Sequence, residues 1–242
     1  MREGGIVISI PTLGMLDVEI VSSLCGLERP PNTAIEHFWP VRYTVDKARD
    51  LSAETAIAEQ AEYLFFIDHD VILPTKALLR LVARDADIAS GLYFTRSKPP
   101  FPLVFVDGHP TMDWTPGDVV QVDAVGMGCT LIRRELFEQL EPPWFVTTGQ
   151  GTEDTHFCRR LREELGIRPV VDTGISCVHK DLATGDRFYL DRETALPMWM
   201  DSRGTTHCLP PVAHDACCVV DLTKEDKSEE ADCRASGDAV AG

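Results

Sequence analysis

Two carboxylates stand one residue apart at the point where an apolar run of the chain ends. Asp68 and Asp70 flank His69 in the stretch "YLFFIDHDVILP", which covers residues 63–74. Residues two apart in an extended segment point to the same side, so we expect both carboxylates to face one cleft. Their oxygens suit Mg²⁺ or Mn²⁺, which commonly bridge substrate phosphates. The pair indicates a divalent-cation site, with a solvated turn as the alternative, and we expect His69 to point the other way.

Glu153 and Asp154 form a second acidic pair, at the start of the clearest helical pattern and directly after a loop rich in Gly and Thr. Acids in the first turn interact favourably with the helix dipole, by about 0.3–1 kcal/mol each, which is a sufficient structural reason for the pair. The functional alternative is that one of them is a general base. The loop over residues 142–151 would then close over a substrate and position that base.

Further candidates are a histidine, two arginines and two glycines. His179, in "SCVHK", is a candidate third metal ligand, although a lone histidine is more often structural. Arg49 and Arg96 are the cations nearest the expected cleft and either neutralise a diphosphate or are ordinary surface arginines. Gly126 and Gly128 interrupt an apolar strand in "GMGC", which either lets a ligand lie against the backbone or marks a bulge or tight packing.

The elements that must position these residues alternate between strands and helices. Short apolar, β-branched runs predict strands, and apolar residues at helical spacing predict helices. Predicted strands lie within residues 5–14, 63–68, 87–94 and 167–180, and predicted helices within 44–61, 73–85 and 152–166. We expect Thr75 and Thr152 to be N-caps and Gly166 to end the last helix. The alternation predicts an α/β sheet, and open sheets of this kind bind ligands at the carboxyl ends of their strands.

Composition limits the partners of the chain. Its 242 residues, 44% of them apolar, are enough for one large domain with a sizeable core. The 39 acidic and 23 basic residues give a net charge of −16. Such a surface repels nucleic acid and anionic membranes, so we expect no nucleic-acid partner. A polyanionic nucleotide would need local cancellation of this charge by a metal ion or a few arginines.

Domain organisation and compartment follow from the distribution of residue types. Residues 205–242 are polar, acidic and poor in bulky apolar side chains, so we expect one domain over 1–204 and a disordered tail after it. We expect no transmembrane segment, because no apolar run is long enough to cross a bilayer. The eight cysteines include no C-x-x-C pair, which argues against a structural zinc site. Their dispersal is typical of reduced thiols, so we expect a cytoplasmic protein.

Taken in order, the motifs resemble those of GT-A-fold glycosyltransferases of the family-two type. The resemblance covers about residues 5–181 and is carried by "ISIPTLG", "KARDLSAETAIA", "FFIDHDVILP", "GMGCTLIRRELFEQL", "PPWF", "GTEDTHFCRRLREELG" and "SCVHK". It implies a GT-A-like (Rossmann-like) α/β fold with a mixed, mostly parallel sheet flanked by helices. It also implies a hexosyltransferase-like enzyme that uses Mn²⁺ or Mg²⁺ to move a sugar from a nucleoside-diphosphate sugar to a hydroxyl of a sugar or other acceptor.

The resemblance assigns metal and base roles to five residues. Asp70 would be the main metal ligand, Asp68 would contact the metal or the ribose of the nucleotide, and His179 would complete the metal site. Glu153 and Asp154 match the acidic pair of the family, in which Asp154 is favoured as the base that activates the acceptor hydroxyl. The chemistry is consistent with these roles, because a metal ion balances the charge on a leaving diphosphate and a carboxylate accepts the acceptor's proton.

The resemblance also implies binding roles. Three residues would line the nucleotide pocket: Pro11, Thr12 and Arg49. We expect Arg96, as a cation near the cleft, to contact the nucleotide beside them. Trp144 and Gly128 would lie near the acceptor. Asp50 departs from the family pattern, which usually has Asn there, and we expect it to add negative charge near an anionic donor.

Two alternatives remain open from the sequence. Haloacid-dehalogenase-type phosphatases also have an apolar strand that ends in Asp-x-Asp, and their first Asp, here Asp68, is the nucleophile. Their motif lies near the N-terminus, however, whereas here a strand and a helix precede it. The other alternative is a catalytically silent protein that keeps the fold and only binds a sugar or nucleotide.

Overall fold

The computed structural model describes residues 4–149 and 151–208, and most of the elements in it follow from local patterns. The strands, numbered in chain order, are β1 (Ile6–Ser9), β2 (Ile35–Phe38), β3 (Tyr63–Ile67), β4 (Val71–Ile72), β5 (Ile88–Leu92), β6 (Val104–Val106), β7 (His109–Pro110), β8 (Val119–Gln121), β9 (Ala124–Val125), β10 (Cys129–Arg133), β11 (Val170–Ser176), β12 (Val178–Lys180), β13 (Arg187–Leu190), β14 (Pro197–Met200) and β15 (Thr206–Cys208). The helices are α1 (Val18–Cys25), α2 (Val45–Ala58), α3 (Ala77–Val82), α4 (Glu135–Gln139) and α5 (Glu153–Arg160).

The central sheet has seven strands in the order β2-β1-β3-β10-β5-β11-β8. Strand β1 pairs in parallel with β2 and β3, and β5 pairs in parallel with β11. Strand β10 runs antiparallel to both β3 and β5, and β8 runs antiparallel to β11. Five of the seven strands therefore run in the same direction, which confirms the predicted mixed, mostly parallel sheet.

Side chains of β3 alternate between two apolar cores, one on each face of this sheet. Leu64 and Phe66 belong to the core that also contains residues of α2, α4 and α5. Phe65 and Ile67 belong to the other core, which contains residues of α3. Because both faces are covered by helices, β3 is a continuous apolar run, as strands of α/β sheets generally are. Its carboxyl end is where Asp68 leaves the sheet.

A five-stranded antiparallel sheet, in the order β15-β14-β13-β12-β4, lies beside the central sheet. Strand β4 comprises only Val71–Ile72 and pairs with β12, with His179 opposite Val71. A third sheet has the order β7-β6-β9. The short β4–β12 pairing connects the end of β3 to the chain that follows β11.

Several elements differ from the sequence-based predictions. The helix expected over residues 73–85 is the shorter α3, and Lys76, not Thr75, occupies its N-cap position. Helix α5 begins where expected, but the Thr152 hydroxyl makes no capping hydrogen bond to the helix. The helix continues as a π-helical turn over Leu161–Leu165 and ends at Gly166, whose φ of +70° lies in the left-handed region that favours glycine.

The chain continues in ordered structure past the predicted domain boundary at residue 204. Strand β15 lies beyond that position and pairs with β14. The rest of the predicted tail, residues 209–242, lies outside the described residues. Within the described part of the chain, no helix is long and apolar enough to cross a bilayer. The cysteines described there are free thiols.

Candidate functional site

A pocket of about 420 Å³ opens at the carboxyl ends of β1 and β3. Nine of the eleven predicted site residues line it: Pro11, Thr12, Arg49, Asp68, Asp70, Arg96, Glu153, Asp154 and His179. The loops after β1 and β3, helix α2, the start of α5 and strand β12 each contribute side chains. His69 also lines the pocket, contrary to the expectation that it points away from the two aspartates.

Asp70 and His179 face each other across the β4–β12 pairing. Nε2 of His179 lies 3.3 Å from Oδ2 of Asp70, and both side chains are largely buried. Nδ1 of His179 donates a hydrogen bond to the carbonyl oxygen of Phe94, at 2.6 Å, because a carbonyl can only accept. This bond fixes the tautomer, so that Nε2 of the neutral ring presents a lone pair toward Asp70. Two electron-pair donors thus converge on a position suited to a cation.

Asp70 is held as a carboxylate. Burial raises the pKa of its carboxyl group, but the hydrogen bond and charge that His179 supplies when its ring is protonated, together with the charge of Arg96, outweigh burial and leave the pKa below its ordinary value. Nη1 of Arg96 lies 2.9 Å from Oδ2 of Asp70. Asp70 is therefore ionised at neutral pH and already has a cationic partner.

Asp68 is joined to the second acidic pair through Arg49. The Arg49 guanidinium donates from Nη2 to Oδ1 of Asp68, at 2.9 Å, and from Nε to Oε1 of Glu153, at 3.0 Å. The arginine side chain is only 3% exposed, so both pairs lie in a poorly solvated environment. Burial works against its charge, but Asp68 and Glu153 outweigh burial and raise the pKa of Arg49. Asp68 is thereby turned toward Arg49.

The described residues bring together two candidate metal ligands, whereas three are expected from the sequence. They contain no group of three or more His, Cys, Asp or Glu side chains arranged to hold a metal ion. Asp68 binds Arg49, so the convergence is limited to Asp70 and His179. One carboxylate and one imidazole with a fixed tautomer nevertheless fit Mg²⁺ or Mn²⁺, because these ions commonly take their remaining ligands from water and substrate phosphates.

One nitrogen of the Arg49 guanidinium, Nη1, is open to a further hydrogen bond. This nitrogen is buried and has no hydrogen-bond partner among the described residues. Buried polar groups are almost always paired, so an orphan donor of this kind is open to a water, an ion or a ligand atom. Because Arg49 lines the pocket, an anionic or hydroxyl oxygen bound there is a suitable partner for Nη1.

Asp154 has the environment of a general base. Burial is the largest cause that raises the pKa of its carboxyl group, and the negative charge of Glu153 adds to it. A hydrogen bond from Thr152 and the charge of Arg49 oppose these effects, but the pKa stays above its ordinary value. Glu153 is committed to Arg49, which leaves Asp154 as the acid of the pair that is available for proton transfer.

Tyr93 is a pocket residue that the sequence analysis missed. It directly follows β5, and its hydroxyl accepts a hydrogen bond from the backbone N–H of Gly128, at 2.8 Å. A Cβ at Gly128 would lie 2.8 Å from Cζ of Tyr93 and 3.0 Å from Oδ2 of Asp68, and one at Gly126 would lie 2.2 Å from the Tyr93 hydroxyl. Both glycines therefore make room for Tyr93. Its position at the carboxyl end of a predicted strand is the signal that could have identified it.

Gly128 and Trp144, the two expected acceptor residues, are not among the residues that line the pocket. Trp144 is 5% exposed, and its indole N–H donates to the carbonyls of Phe137 and Leu140. The ring packs edge-on against Phe137. Trp144 is thus a core residue, and this placement corrects the expectation that it contacts an acceptor. Gly128 acts through the space it leaves for Tyr93 and Asp68.

Asp50 also has a structural role that the sequence did not reveal. One oxygen of its carboxylate, Oδ1, accepts hydrogen bonds from the backbone N–H groups of Trp144 and Phe145, at 3.1 and 3.0 Å. Asp50 therefore faces the loop before α5 and does not line the pocket. The expectation that it adds negative charge beside an anionic donor is corrected by this orientation.

Comparisons with known proteins bear on the fold. No protein-family model and no curated protein matches the chain. Among solved structures, the chain is similar to A197 from STIV, with a TM-score of 0.61 and 15% identity over 88% of this chain and 100% of that one. It is more distantly similar to apo-UDP-glucose pyrophosphorylase, with a TM-score of 0.43 and 6% identity over 72% of this chain and 76% of that one. The similarity to A197 and the sheet order agree with the predicted GT-A-like fold.

Proposed function

We propose that the pocket binds a nucleoside-diphosphate sugar together with Mn²⁺ or Mg²⁺, and that the protein transfers the sugar to an acceptor hydroxyl. The observation that carries this proposal is the convergence of Asp70, from the turn before β4, and His179, from β12, on one position in a pocket that also holds a buried arginine and a candidate base. A GT-A-like fold is a suitable scaffold for such a reaction, because its strand ends meet at this pocket.

The charge balance of the pocket supports a divalent cation as part of the bound complex. Among the residues that the structure describes, four carboxylates line the pocket, from Asp68, Asp70, Glu153 and Asp154, against the two arginines Arg49 and Arg96. With all six groups ionised, the pocket carries a net charge of −2. A diphosphate would add further negative charge in a partly desolvated space, where like charges repel strongly. A divalent cation that binds with the diphosphate removes this obstacle.

Asp70 and His179 would hold the cation. The hydrogen bond from Nδ1 of His179 to Phe94 keeps Nε2 free for ligation, and the burial of Asp70 limits competition from water. Once bound, a cation at this position supplies Lewis-acid stabilisation of the charge that develops on the leaving diphosphate.

Arg49 and Asp154 have separate roles in this scheme. The orphan Nη1 of Arg49 donates a hydrogen bond to an oxygen of the sugar nucleotide. The ion pairs with Asp68 and Glu153 keep the guanidinium in place. Asp154 accepts the proton of the acceptor hydroxyl as that oxygen attacks the anomeric carbon. Its raised pKa makes it a stronger base than an ordinary aspartate.

A catalytically silent binding protein is the second candidate. It needs the pocket, the cation position and the unpaired nitrogen of Arg49 but no base, because Arg49 pairs with Asp68 and Glu153 whether or not Asp154 transfers a proton. The phosphatase alternative has less support, because its proposed nucleophile, Asp68, is tied to a buried guanidinium in a sheet of GT-A-like order.

The test is a thermal-shift screen of UDP- and GDP-sugars with and without Mn²⁺, followed by product analysis with simple sugar acceptors. Binding to the native state raises the melting temperature. We expect a Mn²⁺-dependent shift with at least one sugar nucleotide, and release of the nucleoside diphosphate that is lost in Asp154→Asn while the shift is kept. A shift without turnover in any acceptor mixture would favour the silent binding protein. No Mn²⁺-dependent shift with any sugar nucleotide would overturn the proposal.

A further inference from the structure

Arg96 occupies the carboxylate oxygen that a cation would need. Its Nη1 lies 2.9 Å from Oδ2 of Asp70, and this is the same oxygen that faces Nε2 of His179 at 3.3 Å. The arginine side chain is 47% exposed, whereas that of Asp70 is 7% exposed. A surface arginine thus reaches into the pocket and holds a buried acid.

A divalent cation and the Arg96 guanidinium cannot both occupy this position. A metal ion that ligates Oδ2 of Asp70 and Nε2 of His179 lies about 2.0–2.2 Å from each atom. The guanidinium, already in hydrogen-bond contact with the same oxygen, would then be in direct contact with a doubly charged ion. Like charges at such a distance repel, so the metal must displace Arg96 from Asp70.

We propose that Arg96 is a resident cation at Asp70, which a divalent metal displaces only when a diphosphate ligand is present to accept the guanidinium. Arg96 then determines specificity, because it makes the metal and the diphosphate bind together and discriminates against ligands with one phosphate or none. The identity of the diphosphate ligand rests on the proposed function, whereas the competition for Asp70 does not.

The surroundings of Arg96 suit this exchange. The Thr95 hydroxyl bonds to the hydroxyl of Ser97 and accepts from the N–H of Phe101, so the loop is held by its own hydrogen bonds. Lys98, two residues along, is half exposed where it pairs with Asp186 at 2.8 Å. The loop backbone is therefore anchored, while the exposed guanidinium has Asp70 as its one ion-pair partner among the described residues. We expect a change of side-chain rotamer to move it from Asp70 to a ligand.

The ligand set makes the metal dependent on phosphate. Asp70 and His179 are the two described side chains that converge on the metal position, so a bound ion needs further oxygen ligands. A diphosphate supplies these oxygens and at the same time attracts Arg96. Metal and diphosphate should therefore strengthen each other's binding by the same factor, as linkage requires.

The experiment measures Mn²⁺ binding directly, from the EPR signal of the free ion, with the full chain. Mn²⁺ is titrated alone, with UDP or GDP, and with UMP or GMP, into the unaltered protein, Arg96→Gln, Arg96→Lys and the control Lys98→Gln. Melting temperatures establish that each variant is folded. In Arg96→Gln we expect Mn²⁺ alone to bind at least about fivefold more tightly, which is the lower end of ordinary coupling effects. The enhancement of Mn²⁺ binding by the diphosphate should shrink by a similar factor.

Two control variants test whether the positive charge at position 96 is responsible for the effect. Arg96→Lys keeps a cation at Asp70, so its Mn²⁺ affinity should stay near that of the unaltered protein, as should that of Lys98→Gln. Unchanged binding of Mn²⁺ alone in Arg96→Gln would overturn the inference, and so would equal enhancement by UMP and UDP. If the protein transfers no sugar but Mn²⁺ and the diphosphate still strengthen each other's binding, the proposed function is overturned and this inference stands.

Discussion

Asp70 and His179 are brought together by the antiparallel pairing of β4 with β12, in which the N–H of Lys180 donates to the carbonyl of Asp70 at 2.8 Å. His179 lies opposite Val71 in this register. A slip of one residue would turn the imidazole to the other face of the sheet, because side chains alternate along a strand. The candidate metal position is therefore set by a backbone pairing, not by the motif around Asp68 and Asp70 alone.

Replacement of Arg49 tests how the pocket is held together. Arg49→Met should destabilise the protein by about 3–5 kcal/mol, because it leaves the carboxylates of Asp68 and Glu153 unpaired in a poorly solvated site. The matched control on the same helix is Lys47→Gln, which removes a solvent-exposed ion pair with Glu54 and should cost less than about 1 kcal/mol.

Urea-induced unfolding measures both free energies. Addition of Glu153→Gln to Arg49→Met should recover part of the lost stability, since it removes one unpaired charge. Equal effects of Arg49→Met and Lys47→Gln would mean that the buried ion pairs do not support the pocket.

The pH dependence of transfer tests the role of Asp154. The base must be ionised to accept a proton, so the rate rises as pH rises through its pKa. Because burial and Glu153 raise that pKa, the acidic limb of the pH–rate profile should lie above 3.8, the ordinary value for aspartate. Glu153→Gln removes a negative neighbour and should move the limb to lower pH.

Asp154→Asn should lower the rate by about 10²–10⁴, the usual contribution of general acid–base catalysis. If the acidic limb of the pH–rate profile does not move in Glu153→Gln, the group that titrates is not Asp154. Binding of the sugar nucleotide, measured in parallel, should be retained in Asp154→Asn, which separates a catalytic role from a binding one.

Asp50 should contribute to stability through hydrogen bonds, not through its charge. Burial, its largest influence, raises the pKa of Asp50, although the N–H groups of Phe145 and Trp144 partly oppose it. The folded state therefore binds this proton more tightly than the unfolded state does, and the group's contribution to stability decreases as pH rises through the folded pKa. Asp50→Asn keeps the acceptor without the charge, so it should be at least as stable as the unaltered protein at neutral pH.

Asp50→Ala leaves two N–H groups without their acceptor and should cost about 1–3 kcal/mol for each that stays buried. Unfolding in urea at several pH values compares the variants. Equal destabilisation by Asn and Ala would indicate that the negative charge itself is required.

The sequence was sufficient for elements whose signals are local. The apolar run of β3, the helical spacing in α2 and the glycine that ends the helical segment at Gly166 all act within a few residues. Strand β4 has only two residues and exists because β12 pairs with it, so no local pattern could predict it. Residues 15–42, which contain α1 and β2, and the strands after β12 were also not assigned from their patterns.

For the candidate site, the lining residues could be predicted from the sequence, whereas the contacts between them could not. The order of the motifs anticipated most of the residues that line the pocket, since strand ends of an α/β sheet meet at one edge. The partners of each residue depend on contacts between distant parts of the chain. Arg49 binds Glu153, and Asp50 binds the backbone of Trp144, across about a hundred residues of sequence. Asp68 was therefore assigned to the metal or the ribose and Trp144 to the acceptor, whereas in the structure Asp68 pairs with Arg49 and Trp144 lies in the core.

The most direct test of the account is the affinity for UDP and GDP, measured by calorimetry with and without Mn²⁺, in the unaltered protein and in Asp70→Asn. Asp85→Asn, which changes an exposed aspartate of an ion pair away from the pocket, is the control. We expect Mn²⁺ to increase the affinity for at least one nucleotide in the unaltered protein and in Asp85→Asn, and to have no such effect in Asp70→Asn. An equal Mn²⁺ effect in Asp70→Asn and the unaltered protein would contradict a cation site at Asp70.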